Sequence, residues 1–525
     1  VLPLKILRPV LLGTALLACT HAPAQTRLPA LGDGAEITLG DERRLGERII
    51  RELYRDPNYI DDPLLQEYVL GIWQPLLAAA RTHGQLSAQL QQRFAWEILL
   101  GRDRSVNAFA LPGGYLGVHL GLIGVVGTRD ELASVLAHEL SHVTQRHIAR
   151  MFAHQNRQTP LMLGAMILGA LAAGSNPDAG MAMVVGGQAL AAHQQLSFSR
   201  DMEREADRMG FNLMEPAGFA PQGFVSMFDK LQQANRLNDN ASWPYLRSHP
   251  LTRERMADAL ARIPAHASAA PVPTLEHAML AARARVLARP GVDLLRQWAA
   301  QPQTAGFTEQ STTQQTAQAY AAVLSAMQLR DWAGARAALV PLQAATAQDA
   351  AALRQTRLLQ AELELAAGEP AAALAALPQP DTLAPGTRHS GPLSLDSVAA
   401  SDNASGGAQR RPELLLRTQI LLRQNASASM AAALQTWVSQ HPRDAAAWQL
   451  LAQVWHAQGQ ALRALRAEAE ARAAHYDYPA ALDRLKAAQN LARQGGQALD
   501  HIEASIVDTR LRAVEQLLRT QEGEW

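Results

Sequence analysis

The sequence predicts an α+β, mainly helical chain, with a small β-sheet in an N-terminal unit over residues 35–265 and an α-helical solenoid over residues 275–525. Three observations carry this. Apolar residues recur at three- and four-residue spacing from Gly40 to Leu99, give way to short extended segments around Pro112-Gly113-Gly114, and resume at helical spacing beyond Asp130. Past residue 300 the chain is rich in alanine and leucine, with recurring turn signals. Its 525 residues exceed what one hydrophobic core holds, so at least two domains are expected.

The first 24 residues read as an export signal, with Lys5 and Arg8 ahead of an apolar run from Pro9 to Ala18 that is too short to span a bilayer. Two processing routes stand open. Ala22-Pro23-Ala24 fits cleavage before Gln25 and gives a soluble mature chain, the favoured reading; Leu16-Leu17-Ala18-Cys19 resembles a lipidation site that would attach it to a membrane.

Helices are expected from Asp41 to Tyr54 and from Pro63 to Arg81, the second announced by Asp61 and Asp62 with proline at the first helical position. Phe94 to Leu99 reads as a strand, and Val106 to Leu111 and Tyr115 to Leu120 as two more about a tight turn. A helix follows from Asp130 through Arg150. Further helices run from about Ser197 to Glu215 and up to Asn240.

Lys plus Arg equals Asp plus Glu at 48 each, so no basic excess points to nucleic acid. Cys19 is the single cysteine and lies in the leader, which leaves the folded body without a disulfide or a catalytic thiolate. A metal site must use histidine and carboxylate.

Such a site is legible in His138-Glu139-Leu140-Ser141-His142. Two histidines four apart project from one face of a helix toward one ion, and the intervening glutamate stands beside the open coordination position as a general base. This H-E-x-x-H spacing is a zinc signature. About sixty residues on, Glu203 and Asp207 share a helix face, so one can ligate while the other orients a ligand histidine. Glu205 points elsewhere and reads as a solvated charge, and Arg200, Arg204 and Arg208 are candidate partners for Glu203.

Asn107-Ala108-Phe109-Ala110 with Pro112-Gly113-Gly114, the H-E-x-x-H motif, Glu203 to Asp207 and His249-Pro250 together resemble the M48 peptidase family. The likeness is specific through residue 260 and looser beyond. It implies a zincin-like metallopeptidase domain with one Zn2+ per subunit, ligands His138, His142 and Glu203, Glu139 as general base, and Asp207 behind a ligand. His249 matches a family histidine that can reach the metal as a fourth, regulatory ligand. Within the family, a leader in front and helical repeats behind resemble periplasmic members, which implies a periplasmic endopeptidase with chaperone-like activity. Its substrates would be unfolded or misassembled outer-membrane β-barrel proteins, its partner the barrel assembly machinery, docked through the repeats. The alternative is a periplasmic chaperone or docking module with a latent zinc site.

The remaining expectations come from the residues. Val106 to Leu111 alternates and reads as an edge strand that receives substrate as another strand, with Asn107 and Ala108 against the peptide main chain. The apolar stretch from Leu161 to Leu190 is broken at Ser175-Asn176-Pro177-Asp178, short of a membrane span, and reads as core, as a lid, or as a face that leans on a membrane or on a partner. Gly368-Glu369-Pro370 and Gly459-Gln460-Ala461, with looser copies at Arg330 to Ala335 and Tyr476 to Ala481, mark helix-helix turns of a tetratricopeptide-like array. Its Pro-, Ser- and Gly-rich insertion at 378–412 is expected to be a disordered loop. Because His138, His142 and Glu203 all precede residue 210, removal of residues 320–525 is expected to spare the metal site.

Overall fold

The computed structural model describes residues 37–154, 198–236, 242–263, 272–377, 410–494 and 500–522. Residues 1–36, with the expected leader and Cys19, the apolar stretch 161–190 and residues 378–409 of the expected insertion lie outside the described residues.

Thr38 opens the first helix, Leu39–Arg55, through a capping box with Asp41. Asp62 opens the second, Pro63–Thr82, by accepting the Leu65 N–H at 2.9 Å. Leu65, Val69, Ile72 and Leu76 recur along that helix at three- and four-residue intervals and are wholly buried in the main core. Each such aliphatic side chain contributes about 1.5–3 kcal/mol on leaving water.

Four strands form one sheet in the order β1-β2-β4-β3, where β1 is Tyr59–Ile60, β2 Glu97–Gly101, β3 Ala108–Leu111 and β4 Tyr115–His119. β2 and β4 run parallel; the outer pairs are antiparallel. β2 begins three residues later than the sequence predicts, because Phe94 still caps the short helix Ala88–Arg93 and Trp96 turns through φ 53°. Gly113 and Gly114, at φ +77° and +85°, supply the β3–β4 turn that side chains resist. That leaves β3 at the edge of the sheet, as expected.

The long helix expected from Asp130 to Arg150 is two helices, Arg129–Thr144 and His147–His154. Arg146 between them is left-handed at φ 53°, held there by Glu42, 2.7 Å from its Nε, and by the Ile37 carbonyl, 2.5 Å from its Nη2. The acidic helix Arg200–Met214 lies against the first of the two, and Gly210 makes the approach possible: a Cβ there would stand 2.9 Å from the Ala137 backbone.

Beyond residue 272 the described chain is helical throughout. Antiparallel pairs are formed by Thr312–Gln328 with Trp332–Thr346, Ala350–Ala366 with Pro370–Ala376, Arg411–Arg423 with Met430–Gln440, Ala445–Ala457 with Ala461–Ala474, and Tyr478–Arg493 with His501–Glu522. Gly368 and Gly459 end helices at φ 87° and 71°, and Arg330 and Tyr476, the looser copies, occupy the same left-handed region at φ 59°. The insertion, expected through residue 412, gives way to helix at Arg411, with Pro412 in the first turn where no N–H is needed.

The change of pattern near residue 275 is not a gap in packing. Leu280, Ala284, Leu358, Ala361, Leu416 and Ile420 belong to the same buried cluster as Ile72 and Leu136. Ion pairs reinforce it, from buried to half-buried: Arg283 holds Asp62 at 2.7 Å and Glu362 at 2.8 Å, Arg354 holds Glu67 and Glu413, and Arg411 holds Asp61 and Asp444. Among the described residues no helix is long and apolar enough to cross a membrane.

Candidate metal centre

Thr128 caps the helix Arg129–Thr144, whose central turns are buried on every side. His138 and His142, four residues apart, turn their Nε2 atoms to within 3.0 Å of each other. Ser199 caps the acidic helix and fixes Glu203 opposite them, with Oε2 3.5 Å from His138 Nε2 and Oε1 3.4 Å from His142 Nε2. His249 follows the short helix Tyr245–Ser248 and adds Nδ1, 3.0 Å from Glu203 Oε1 and 3.3 Å from His138 Nε2. All four side chains are buried.

These separations answer whether a metal fits. Donors about 2.0–2.1 Å from a tetrahedral zinc ion stand about 3.3 Å from one another, close to the 3.0–3.5 Å observed. His138, His142, Glu203 and His249 would hold it. Glu139 is fully buried beside them and makes no close hydrogen bond among the described residues, although the Tyr245 hydroxyl bears on its carboxylate; so weakly satisfied a buried carboxylate is costly unless the site binds something. Its nearest ionic neighbour is His249 Nε2, at 3.4 Å from Oε1.

The electrostatics separate the two glutamates. Burial pushes the Glu139 carboxyl up, while for Glu203 burial is outweighed by His249 and by hydrogen bonds from the three imidazoles, which hold it well below the ordinary value. Burial also opposes a charged His138, but hydrogen bonds to Asp207 and Glu203 lift its ring to about 9.

Asp207 lies 2.9 Å from His138 Nδ1, behind the metal-facing nitrogen. Arg255, which the sequence reading did not single out, grips Asp207 at 2.6 and 2.8 Å, sits 2.7 Å from Glu203 Oε2, and donates at 2.7 Å to the Pro250 carbonyl. It takes the place expected for Arg200, Arg204 or Arg208; Arg204 instead pairs with Asp201. Glu205, expected to be a solvated charge, is partly exposed but also engaged, 3.2 Å from His147 and 2.8 Å from Arg150. Tyr245 stacks on His249 at 4.5 Å between centroids, and Phe198 on His142 at 3.9 Å. Of these, Glu205 alone was weighed in the sequence; His147, five residues beyond His142, was passed over, since a straight helix would have turned it away.

The substrate-side expectation falls on β3. Val106 donates to the Ser242 carbonyl at 2.8 Å and accepts from Tyr245 N–H at 3.3 Å, so its main chain faces away from β4. Backbone groups turn to the same edge at every second residue, which sets Ala108 and Ala110 facing outward as well. Asn107 accepts the His119 N–H through its main chain, while its side-chain oxygen is buried without a hydrogen-bond partner among the described residues.

Residues 77–263, which include all four candidate ligands, match the family model for peptidase family M48. The chain carries an M48 peptidase domain. The chain is 34% identical over 281 residues to the putative beta-barrel assembly-enhancing protease of Vibrio cholerae, covering 52% of this chain and 56% of that protein. It is 32% identical over 337 residues to the beta-barrel assembly-enhancing protease of Escherichia coli, covering 62% and 65%. It is also 32% identical over 161 residues to the mitochondrial metalloendopeptidase OMA1 of Arabidopsis thaliana, covering 31% and 30%. The chain thus spans less than two thirds of the length of these relatives.

Proposed function

We propose that the chain is a zinc-dependent endopeptidase that acts in the periplasm on outer-membrane β-barrel proteins. The observation that carries the reaction is the placement of the fully buried Glu139 beside His138, His142, Glu203 and His249, whose donor atoms all lie within 4.8 Å of one another. A bound zinc ion supplies a Lewis acid to the site. Glu139, its carboxyl pushed up by burial, takes the proton of the attacking water and passes it to the leaving amine. Asp207 holds His138 by its rear nitrogen, and Arg255 neutralises the carboxylates behind. The peptide adds to the outer edge of β3 at Ala108 and Ala110, with the Asn107 side chain against its main chain, so that backbone pairing rather than side-chain fit selects it.

Barrel substrates, an assembly-machinery partner and the periplasmic setting are inferred from the names of the relatives and from the export-like N-terminal segment. Unfolded barrel precursors are extended chains, the form an edge strand receives. The helical array beyond residue 275 is the surface on which such a partner would dock.

A second reading, a chaperone or docking module with a latent site, is favoured by one observation: His249 already stands among the donors and would close the tetrahedron. Glu139→Gln separates the two. For the peptidase, cleavage of an unfolded barrel protein falls by about 10²–10⁴-fold with zinc content and fold kept. Wild-type protein that holds zinc and never cleaves favours the second.

A further inference from the structure

We infer that His147, Glu205 and Arg150 form a hydrogen-bond chain that orients His142 for metal binding, the counterpart of Asp207 and Arg255 behind His138. The inference rests on the zinc reading proposed above and extends it to side chains outside the donor set.

The two metal-facing histidines pose the same problem. Each must offer a lone pair from Nε2, which requires the proton on Nδ1 and an acceptor to keep it there. For His138 the acceptor is Asp207, at 2.9 Å. For His142 no carboxylate is in that place. Its Nδ1 instead meets His147 Nδ1 at 2.9 Å. One of two facing ring nitrogens must accept, and with the His142 proton on Nδ1 the acceptor is His147. The His147 proton then sits on Nε2, which faces Glu205 Oε2 at 3.2 Å, and Arg150 Nη1 anchors the same oxygen at 2.8 Å. Every donor in the chain finds an acceptor, and the sense of every bond is fixed by the need for a free His142 Nε2.

The backbone is bent to make this contact. In one continuous helix, residue 147 would lie about 140° around the axis from residue 142, on another face. The left-handed Arg146 ends the first helix after Thr144 and restarts it at His147, and so swings the imidazole back under His142. His147 is fully buried there, while Glu205 and Arg150 reach the surface. A wholly buried imidazole whose two nitrogens are both engaged, one by a candidate ligand, fits an orienting role better than a packing one.

The test is zinc affinity, measured by competition with a chromophoric chelator, beside the thermal midpoint of the zinc-free protein. His147→Leu removes the acceptor and is expected to weaken zinc binding about 10–100-fold. His147→Asn restores an acceptor near the Nδ1 position and should recover most of the loss. Glu205→Gln, at a partly exposed position that does not threaten folding, should weaken binding several-fold with the zinc-free midpoint unchanged. Equal affinity in wild type and all three variants overturns the chain of bonds, as does an Asn variant no better than Leu. Should His147→Leu fail to fold, the Asn and Gln variants decide. A wild-type protein that takes up no zinc would remove the underlying reading as well, and is told apart by the failure of wild type itself.

Discussion

Oε1 of Glu203 stands 3.0 Å from Nδ1 of His249, a residue 46 positions further along the chain. The contact puts a third imidazole where a hydrolytic zinc site keeps its open position. His249 is also tethered, since Tyr245 stacks on it and the following Pro250 carbonyl is held by Arg255. If His249 closes the site, His249→Ala should speed cleavage with zinc retained, by about tenfold for each ~1.4 kcal/mol the closed form is favoured. Loss of activity with zinc retained would instead make His249 a stabiliser of the tetrahedral intermediate. No change in either excludes both roles.

Ala108 is fully buried, main chain included, and the alternation of β3 turns its N–H to the edge away from β4. Ala108→Pro removes one N–H from that edge without touching a metal ligand. A folded variant should show a sharply raised KM with zinc content unchanged. Unchanged kinetics would place the peptide elsewhere.

Arg283 bonds to Asp62 across 221 residues of sequence, and both side chains are more than nine-tenths buried. Arg283→Met leaves a buried carboxylate with its strongest partner gone, a loss of about 3–5 kcal/mol. Deleting residues 320–525 goes further, because it strips Leu358, Ala361, Leu416 and Ile420 from the core that backs the metal helix. The truncated chain should therefore be insoluble or bind zinc poorly, although the order of the ligands in the sequence predicts that it would survive. Soluble fraction and zinc content after expression decide; a stable, zinc-loaded fragment would show the shared core to be dispensable.

These cases mark what was legible beforehand. His138, Glu139 and His142 were, because helical periodicity makes neighbours of residues four apart; so were Glu203 and Asp207. β3 was legible as an edge strand from its alternation and the Pro112-Gly113-Gly114 turn. Arg255 was not, because its contacts with Glu203 and Asp207 are fixed by how two helices meet, and its local sequence gives no sign of that. Nor was the role of Glu205, since its partner His147 is placed by a left-handed residue that nothing in the helical pattern announces. The fastening of the arm was hidden for the same reason: Arg411 finds Asp61 across 350 residues.

That fastening predicts an acid response. Asp444 accepts from Arg411 at 2.7 Å, from the Trp437 indole at 2.8 Å and from the Ala447 N–H at the start of its helix. Burial would raise its carboxyl, but these donors outweigh it and hold it below the ordinary value. A carboxylate whose pKa is lower in the folded than in the unfolded chain adds stability above the unfolded value, near 4, and loses it as the pH falls through the folded one. Asp444→Asn should therefore cost about 3 kcal/mol near neutrality, the lower end for a broken buried pair because Arg411 keeps Asp61. The gap between wild type and variant in urea titrations should narrow steadily below about pH 4. A gap that stays constant into acid would mean that Asp444 acts by shape and not by charge.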